Sequence, residues 1–404
     1  MTEENIVDHR KIGVDHELFF FNEHSPGSCF WLPNGTKIFN KLMNFIRDEY
    51  YKRGFLEVMT PVICKEELWK ISGHLDKYKE NMFSVDDTEE DKKEIFYMSS
   101  MNCPKHCLMF NAQSISYKQL PLRYADFGAL HRKELRGALN GLKRGYFFRQ
   151  DDSHIFCTPS QIKTEIKNCL DFLTFVYSKF GFKFEVALST RPDKYIGDIA
   201  LWDKSEKELA EVLSEYGLPF TINEKDGAFY GNKIDVRLTD SLGRKHQCAT
   251  IQLDFNLPQR FGLEYVDENN TLQMPIMIHR AIYGSFERFI AILLEHYEGK
   301  LPLWLNWNQI AILPVTEKFN EYAHSIKEKL MECKYYVDVN DTNLTLPKKI
   351  AIAELDHYNY ILVVGQKEVD TKTVNIRYRD SSEKKMISCN ELIIELENKV
   401  KNFY

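Results

Sequence analysis

Residues 147–159 read FFRQDDSHIFCTP, with two adjacent carboxylates and a histidine set among aromatic residues of the kind that fill protein interiors. A charge taken out of water must find a partner, so the stretch raises the question of what Asp151, Asp152 and His154 hold. Extended as a strand, it sorts by alternation. Phe148, Gln150, Asp152, His154 and Phe156 face one way, and Phe147, Arg149, Asp151, Ser153 and Ile155 the other. The first face offers an aromatic plate, an amide, a carboxylate and an imidazole in a row, which is the composition of a site. A buried, hydrogen-bonded Asp–His pair with no further task is the competing reading.

Residues 245–255, KHQCATIQLDF, likewise place His246, Cys248, Thr250, Gln252 and Asp254 on one side. Binding strands and strands that face water share this pattern. Candidate metal ligands are Cys103, His106 and Cys107 in MNCPKHC, His154, and His279 in MIHRAIYG. A local knuckle of Cys103, His106 and Cys107 lacks the second pair that a structural zinc site needs, and spacing alone does not choose among these donors. Residues 131–145, HRKELRGALNGLKRG, gather Arg132, Lys133, Arg136, Lys143 and Arg144 around two glycines. Guanidinium groups pair bidentately with phosphate oxygens, so such a loop suits phosphate binding. A solvated basic loop has the same composition.

Further out, Ile38, Leu42, Ile46 and Tyr50, beside Phe39 and Met43, predict a helix over 38–52, with Asn34-Gly35-Thr36 before it and Gly54 after it. A strand over 55–59 then runs into Pro61, and the charged run DDTEEDKKE over 86–94 reads as a solvated loop tip. A second helix follows Gly284, with Ser285 as N-cap and Phe286, Phe289, Ile290, Leu293, Leu294 and Tyr297 as its apolar stripe. Arg288 falls on the opposite side. Between these helices, strand candidates over 122–130, 145–156, 184–190 and 245–255 succeed one another with few helices, the pattern of an antiparallel sheet. There is no P-loop and no G-x-G-x-x-G opening a helix, so a nucleotide would lie on a sheet surface.

Beyond Leu301-Pro302-Leu303-Trp304, strand-like runs (310–313, 360–364, 374–378) alternate with helix-like ones (317–334, 346–355, 390–404), as in a small α/β domain. The expected class is α+β, with domains over 1–302 and 303–404. A net charge of −6 over 404 residues excludes a protein that coats nucleic acid by bulk electrostatics. Nine cysteines without framework spacing point to a reducing compartment. The acidic N-terminus lacks the apolar core of a secretory signal, and no apolar run is long enough to cross a bilayer, so a cytoplasmic protein is expected.

Taken in order, these pieces resemble a class II aminoacyl-tRNA synthetase, and specifically the threonyl-tRNA synthetase family. GFLEVMTPVI is similar to motif 1, ALHRKE with the following loop and FFRQDD to motif 2, and GSFERF to motif 3. MNCP, DDSHIFC, AFYGNKID, QCATIQLDF and MIHRAIYGS resemble threonyl-specific strings, and DHRKIGVDHELFFFNEHSPGS is similar to the eukaryotic cytosolic branch. The resemblance implies a class II antiparallel-sheet catalytic domain followed by an α/β anticodon-binding domain. It also implies ATP- and Mg²⁺-dependent activation of L-threonine to threonyl-adenylate, transfer to tRNA(Thr), one zinc ion per subunit, and a homodimer formed through motif 1. A synthetase-like protein without catalysis is the alternative.

Carried over by position, the resemblance makes Cys103, His154 and His279 zinc ligands, and Asp152 the acceptor of the threonine hydroxyl. Met101, Gln150, Tyr230 and Gln252 would line the amino-acid pocket. Arg132 would hold the α-phosphate and the substrate carboxylate, and Glu134 the adenine amino group. Phe148 and Arg288 would sandwich the adenine ring, Arg144 would meet the γ-phosphate, and Gln247 and Thr250 the nucleotide. Strict alternation, however, puts Gln247 on the face opposite Thr250. His74 would assist proton removal from the ribose hydroxyl, an exposed loop histidine being the competing reading. Asp151 has no carried-over role and is expected to be structural. Tyr146, Ser99, Ser100 and Lys105 depart from the family pattern. The chain has no residues to build the family's N-terminal editing domain, so serine leaking into the pocket is not expected to be cleared in cis.

Overall fold

A computed structural model describes residues 7–86 and 94–404. The charged run expected as a loop tip lies mostly outside them. The chain divides into two compact units, one containing residues 21–29 and 43–292, the other residues 7–20, 30–42 and 293–404.

The larger unit is built on an eight-stranded sheet. Its order is Phe220–Asn223, Lys183–Ser189, Lys233–Thr239, Lys245–Asp254, Ile276–Ala281, Asp152–Cys157, Leu122–Asp126 and Leu56–Glu57. The interior pairings are antiparallel, as expected. Both edge strands pair in parallel. Two helices, Ile162–Lys179 and Ile199–Tyr216, interrupt the run of strands, where the sequence reading expects few. The first buries Ile162, Ile166, Cys169, Leu170, Leu173, Val176 and Tyr177, a stripe at helical spacing. The Tyr177 hydroxyl donates to the Ile282 carbonyl at 2.7 Å.

The expected strand over 145–156 is two strands in two sheets. Phe147–Arg149 pairs with Ala129–His131, whereas Asp152–Cys157 enters the main sheet. The chain changes sheets at Gln150-Asp151, and the expected strand over 122–130 divides in the same way into Leu122–Asp126 and Ala129–His131. The first long helix is Pro33–Lys52, several residues longer than expected because Pro33 can open a helix, its missing N–H being unneeded in the first turn. The second is Phe286–His296, with the Ser285 hydroxyl accepting from the Arg288 N–H at 3.2 Å.

In the smaller unit, a five-stranded sheet runs Val337–Val339, Ile310–Pro314, Tyr360–Val364, Thr373–Tyr378, Lys384–Ser388. The first three are parallel and the last two antiparallel. Ile310, Ile312, Leu362, Val374 and Ile376 form its core with Leu330, Leu392 and Leu396 of the covering helices.

Candidate functional site

Strand register assembles the polar face. His154 lies directly opposite His279, and His279 opposite Gln252, across three adjacent strands. Opposed residues project to the same side of a sheet. From the first turn of the helix Cys103–Asn111, Cys103 reaches the same point. Its sulfur and one nitrogen from each of His154 and His279 lie within 4.8 Å of one another, and all three residues are buried. Sequence spacing leaves this trio open against the local knuckle, and the fold brings the donors of Cys103, His154 and His279 together. Cys107 instead packs in a cluster with Phe110, Phe156 and Met277, and His106 meets the ring of His154.

Each imidazole of the trio is held by one edge. His279 Nε2 is 2.9 Å from Asp254 Oδ2, and His154 Nδ1 is 2.7 Å from His106 Nδ1. Burial, with His106 and His279 adding to it, holds His154 well below the usual imidazole range. The ring is therefore neutral and has a lone pair to give. Burial pushes the Cys103 thiol well up, so a nearby cation is what would favour its thiolate. One sulfur and two imidazoles fit a borderline-soft ion such as zinc, with further positions left for substrate.

The two carboxylates of the opening stretch part company. Asp152 turns to the cavity, its Oδ2 accepting from Asn102 Nδ2 at 3.0 Å and its Oδ1 lying 3.8 Å from His154 Nε2. Burial raises its pKa. Asp151 turns away, accepting from the backbone N–H groups of Ile282 and Tyr283 at 2.7 and 2.9 Å, while its own carbonyl accepts the Tyr50 hydroxyl at 2.6 Å. It thereby anchors the chain entering Gly284, where φ is +80° and a Cβ would lie 2.9 Å from the Cys248 carbonyl oxygen. Glycine is required at that turn.

Above the trio opens a cavity of about 770 Å³. Met101, Gln150, Asp152, Tyr230 and Gln252 line it beside Cys103, His154 and His279. So do Arg132, Glu134, Arg144, Phe148, Gln247, Thr250 and Arg288. The Arg132 guanidinium sits 4.9 Å over the Phe148 ring, and its Nε donates to the Ser100 carbonyl at 3.3 Å. Arg144 donates from Nε and Nη2 to Glu134 Oε2 at 3.0 and 2.7 Å. Arg288 Nε is buried without a hydrogen-bond partner.

Two expectations change. Gln247 shares a face with Thr250, because a register shift between Asp235 and Arg237 places an extra residue in the strand Lys245–Asp254. Gln247 Nε2 and Thr250 Oγ1 both donate to Asp235 Oδ1, at 2.7 and 3.2 Å. His74 is fully buried and not an exposed loop residue. It lies behind the cavity wall, with Nδ1 2.8 Å from Ser72 Oγ and Nε2 3.1 Å from Met101 Sδ, and burial pushes its pKa down to about 3.

The tRNA synthetase class II core domain (G, H, P, S and T) matches residues 83–297, and the anticodon binding domain matches residues 309–399. The chain belongs to the class II aminoacyl-tRNA synthetases. Within them it is similar to the RNA binding domain of threonyl-tRNA synthetase from Cryptosporidium parvum Iowa II. The TM-score is 0.95 at 47% identity, over 97% of this chain and 98% of that one. It is 55% identical over 376 residues to threonine–tRNA ligase 1, cytoplasmic, of Homo sapiens, covering 93% of this chain and 52% of that protein. With threonine–tRNA ligase, cytoplasmic, of Saccharomyces cerevisiae the identity is 50% over 405 residues, covering 98% of this chain and 55% of that protein. The chain spans about half the length of these curated relatives.

Of the four residues expected to depart from the family pattern, Ser99, Lys105 and Tyr146 have structural partners, whereas Ser100 Oγ is buried without a hydrogen-bond partner. Ser99 Oγ and Lys105 Nζ both donate to the Pro61 carbonyl, at 3.2 and 3.1 Å, tying the end of motif 1 to the helix that carries Cys103. Tyr146 uses its carbonyl to accept the Arg132 N–H at 2.9 Å. Residues that sequence reasoning missed include Asp235 and Asn102. Asp254 lies on the polar side expected from its alternation with Gln252, but its partnership with His279 is visible only in the fold.

Proposed function

We propose that this chain carries the catalytic and anticodon-reading parts of a threonine–tRNA ligase, which activates L-threonine with ATP and Mg²⁺ to threonyl-adenylate and passes it to tRNA(Thr). The observation that carries the reading is the placement of Asp152 beside Cys103, His154 and His279 in the cavity that Arg132, Phe148 and Arg288 also line. Zinc held by the three would supply electrophilic positions for an amine and a hydroxyl. Asp152 Oδ1 would accept the hydroxyl hydrogen, since Oδ2 is already engaged by Asn102. Tyr230, whose hydroxyl donates to Gln252 Oε1 at 2.5 Å, would close the amino-acid side with Gln252, Gln150 and Met101.

Arg132 would meet charge growing on the α-phosphate, and Phe148 with Arg288 would offer an aromatic face and a cation to adenine. Glu134, Arg144, Gln247 and Thr250 complete the nucleotide contacts. His74, held neutral, would act through Met101 and the surrounding wall during transfer. A domain boundary near Pro302 is supported by the family matches ending at 297 and resuming at 309. A homodimer through motif 1 is supported by its exposed apolar residues Leu56, Met59 and Ile63. A cytoplasmic location follows the names of the human and yeast relatives, and no helix among the described residues is long and apolar enough to cross a membrane.

The test is ATP–pyrophosphate exchange with threonine, serine and valine before and after zinc removal. Exchange with threonine that disappears with zinc and returns on its addition is expected. No exchange with threonine would return the non-catalytic alternative, and exchange that survives complete zinc loss would remove the metal from the reading.

A further inference from the structure

His106 has no role carried over from the family, yet it is fully buried beside the trio. Its Nδ1 is 2.7 Å from His154 Nδ1, with the two rings nearly perpendicular at 80°. Two ring nitrogens at this distance need one hydrogen between them, so one ring donates and the other accepts. The far nitrogen, His106 Nε2, has no hydrogen-bond partner of normal geometry, and Asp126 Oδ2 lies 3.5 Å from it. Asp126 is itself fixed by the Thr60 hydroxyl at 2.6 Å and the Gly128 N–H at 2.7 Å.

The carboxylate breaks the symmetry of the histidine pair. With the hydrogen of His106 on Nε2, an N–H faces Asp126, Nδ1 presents a lone pair to His154, and His154 places its hydrogen on Nδ1. His154 Nε2 is then a free lone pair for the position shared with Cys103 and His279. The reverse assignment sets a lone pair against the Asp126 carboxylate and a hydrogen on His154 Nε2, which blocks that position. His279 receives the equivalent service directly from Asp254, 2.9 Å from its Nε2. We infer that His106 is a positioning residue that relays Asp126 to His154, fixing the tautomer in which His154 can bind a metal. The inference rests on the reading that Cys103, His154 and His279 hold zinc.

The test uses the full chain stripped of metal and compares zinc affinity by chelator competition, together with the visible spectrum of the cobalt form, in four proteins. They are the unaltered chain, Cys103→Ala, His106→Gln and His106→Asn. Asn keeps an acceptor near the position of Nδ1, whereas Gln moves its polar atoms toward that of Nε2. Loss of an outer partner of this kind costs about 10–100-fold in affinity, so His106→Gln is expected to show that loss and His106→Asn to stay within about 3-fold of the unaltered chain. A purely structural role for His106 gives no such split. Should Cys103→Ala lose zinc while His106→Gln keeps the affinity of the unaltered chain, or should Gln and Asn weaken it equally, the relay is wrong and the zinc site stands. Failure of the unaltered chain to bind zinc, or binding that Cys103→Ala leaves unchanged, overturns the zinc site and the relay with it.

Discussion

Replacing Asp151 with alanine should damage the fold, whereas replacing Asp152 should damage selection of substrate. The Asp151 side chain satisfies two buried backbone donors, the N–H groups of Ile282 and Tyr283, and its removal strands both. At about 1–3 kcal/mol for each buried group left unpaired, Asp151→Ala should cost roughly 2–6 kcal/mol of a total near 5–15 kcal/mol. Arg280, buried at 4.8 Å from the rings of Tyr50, Phe55 and Phe172, would also lose a nearby carboxylate. Asp152→Ala gives up one protein hydrogen bond, from Asn102, and should cost about 1 kcal/mol. The pH dependence has a definite sign. Burial raises the Asp151 carboxyl from 3.8 to about 7, so its favourable contribution is full below pH 4 and is lost as pH rises through about 7. The penalty of Asp151→Ala should accordingly be larger at pH 5 than at pH 8. Urea unfolding followed by circular dichroism at both pH values measures these differences, and threonine and valine exchange on the folded variants measures selection. An Asp151→Ala protein within 1 kcal/mol of the unaltered chain, or less destabilised than Asp152→Ala, would refute the assignment.

Serine has the threonine hydroxyl and lacks one methyl group, so it should be activated within roughly 10–200-fold of threonine, while valine should fall behind by about 10⁴-fold or more. The kcat/KM ratios in pyrophosphate exchange decide. Glu287, buried and with its pKa raised from 4.5 to about 7, contributes stability below pH 4.5 that is lost as pH rises through about 7. Glu287→Gln should flatten that decline in a series of melting temperatures from pH 5 to 8. Because burial holds His74 near a pKa of about 3, it stays uncharged at working pH. His74→Ala should slow single-turnover transfer to tRNA but spare exchange, and transfer should show no inflection near pH 6.5 that the substitution removes.

Much of the site is legible in sequence because sheet alternation is a strong rule wherever the strand is regular. Alternation alone separates Asp152 from Asp151, and the contacts of Asp151 with Ile282 and Tyr283 show why they separate. It fails at irregularities, which leave no mark in composition. The extra residue in the strand Lys245–Asp254 reverses the expected side of Gln247, and the change of sheet after Arg149 divides what looks like one strand. The proposed ligand trio is legible only through the resemblance, since Cys103, His154 and His279 lie on separate elements that the fold alone joins. The helix Ile162–Lys179 had its periodicity in plain view in Ile162, Ile166, Cys169 and Leu173. Such a stripe registers only when a segment is tested for helical as well as strand spacing.

The pairing of Arg144 with Glu134 has a consequence for how nucleotide affinity would be measured. Both groups are proposed to meet ATP, yet each already satisfies the other, so engaging the γ-phosphate would be an exchange of one anion for another. Apparent affinity is then a net value, lower than the Arg144–phosphate contact alone would give. Added salt weakens the bond that is broken along with the bond that is formed. ATP binding should therefore respond to ionic strength less steeply than the count of arginines around the cavity would suggest, and Glu134→Gln should steepen that response.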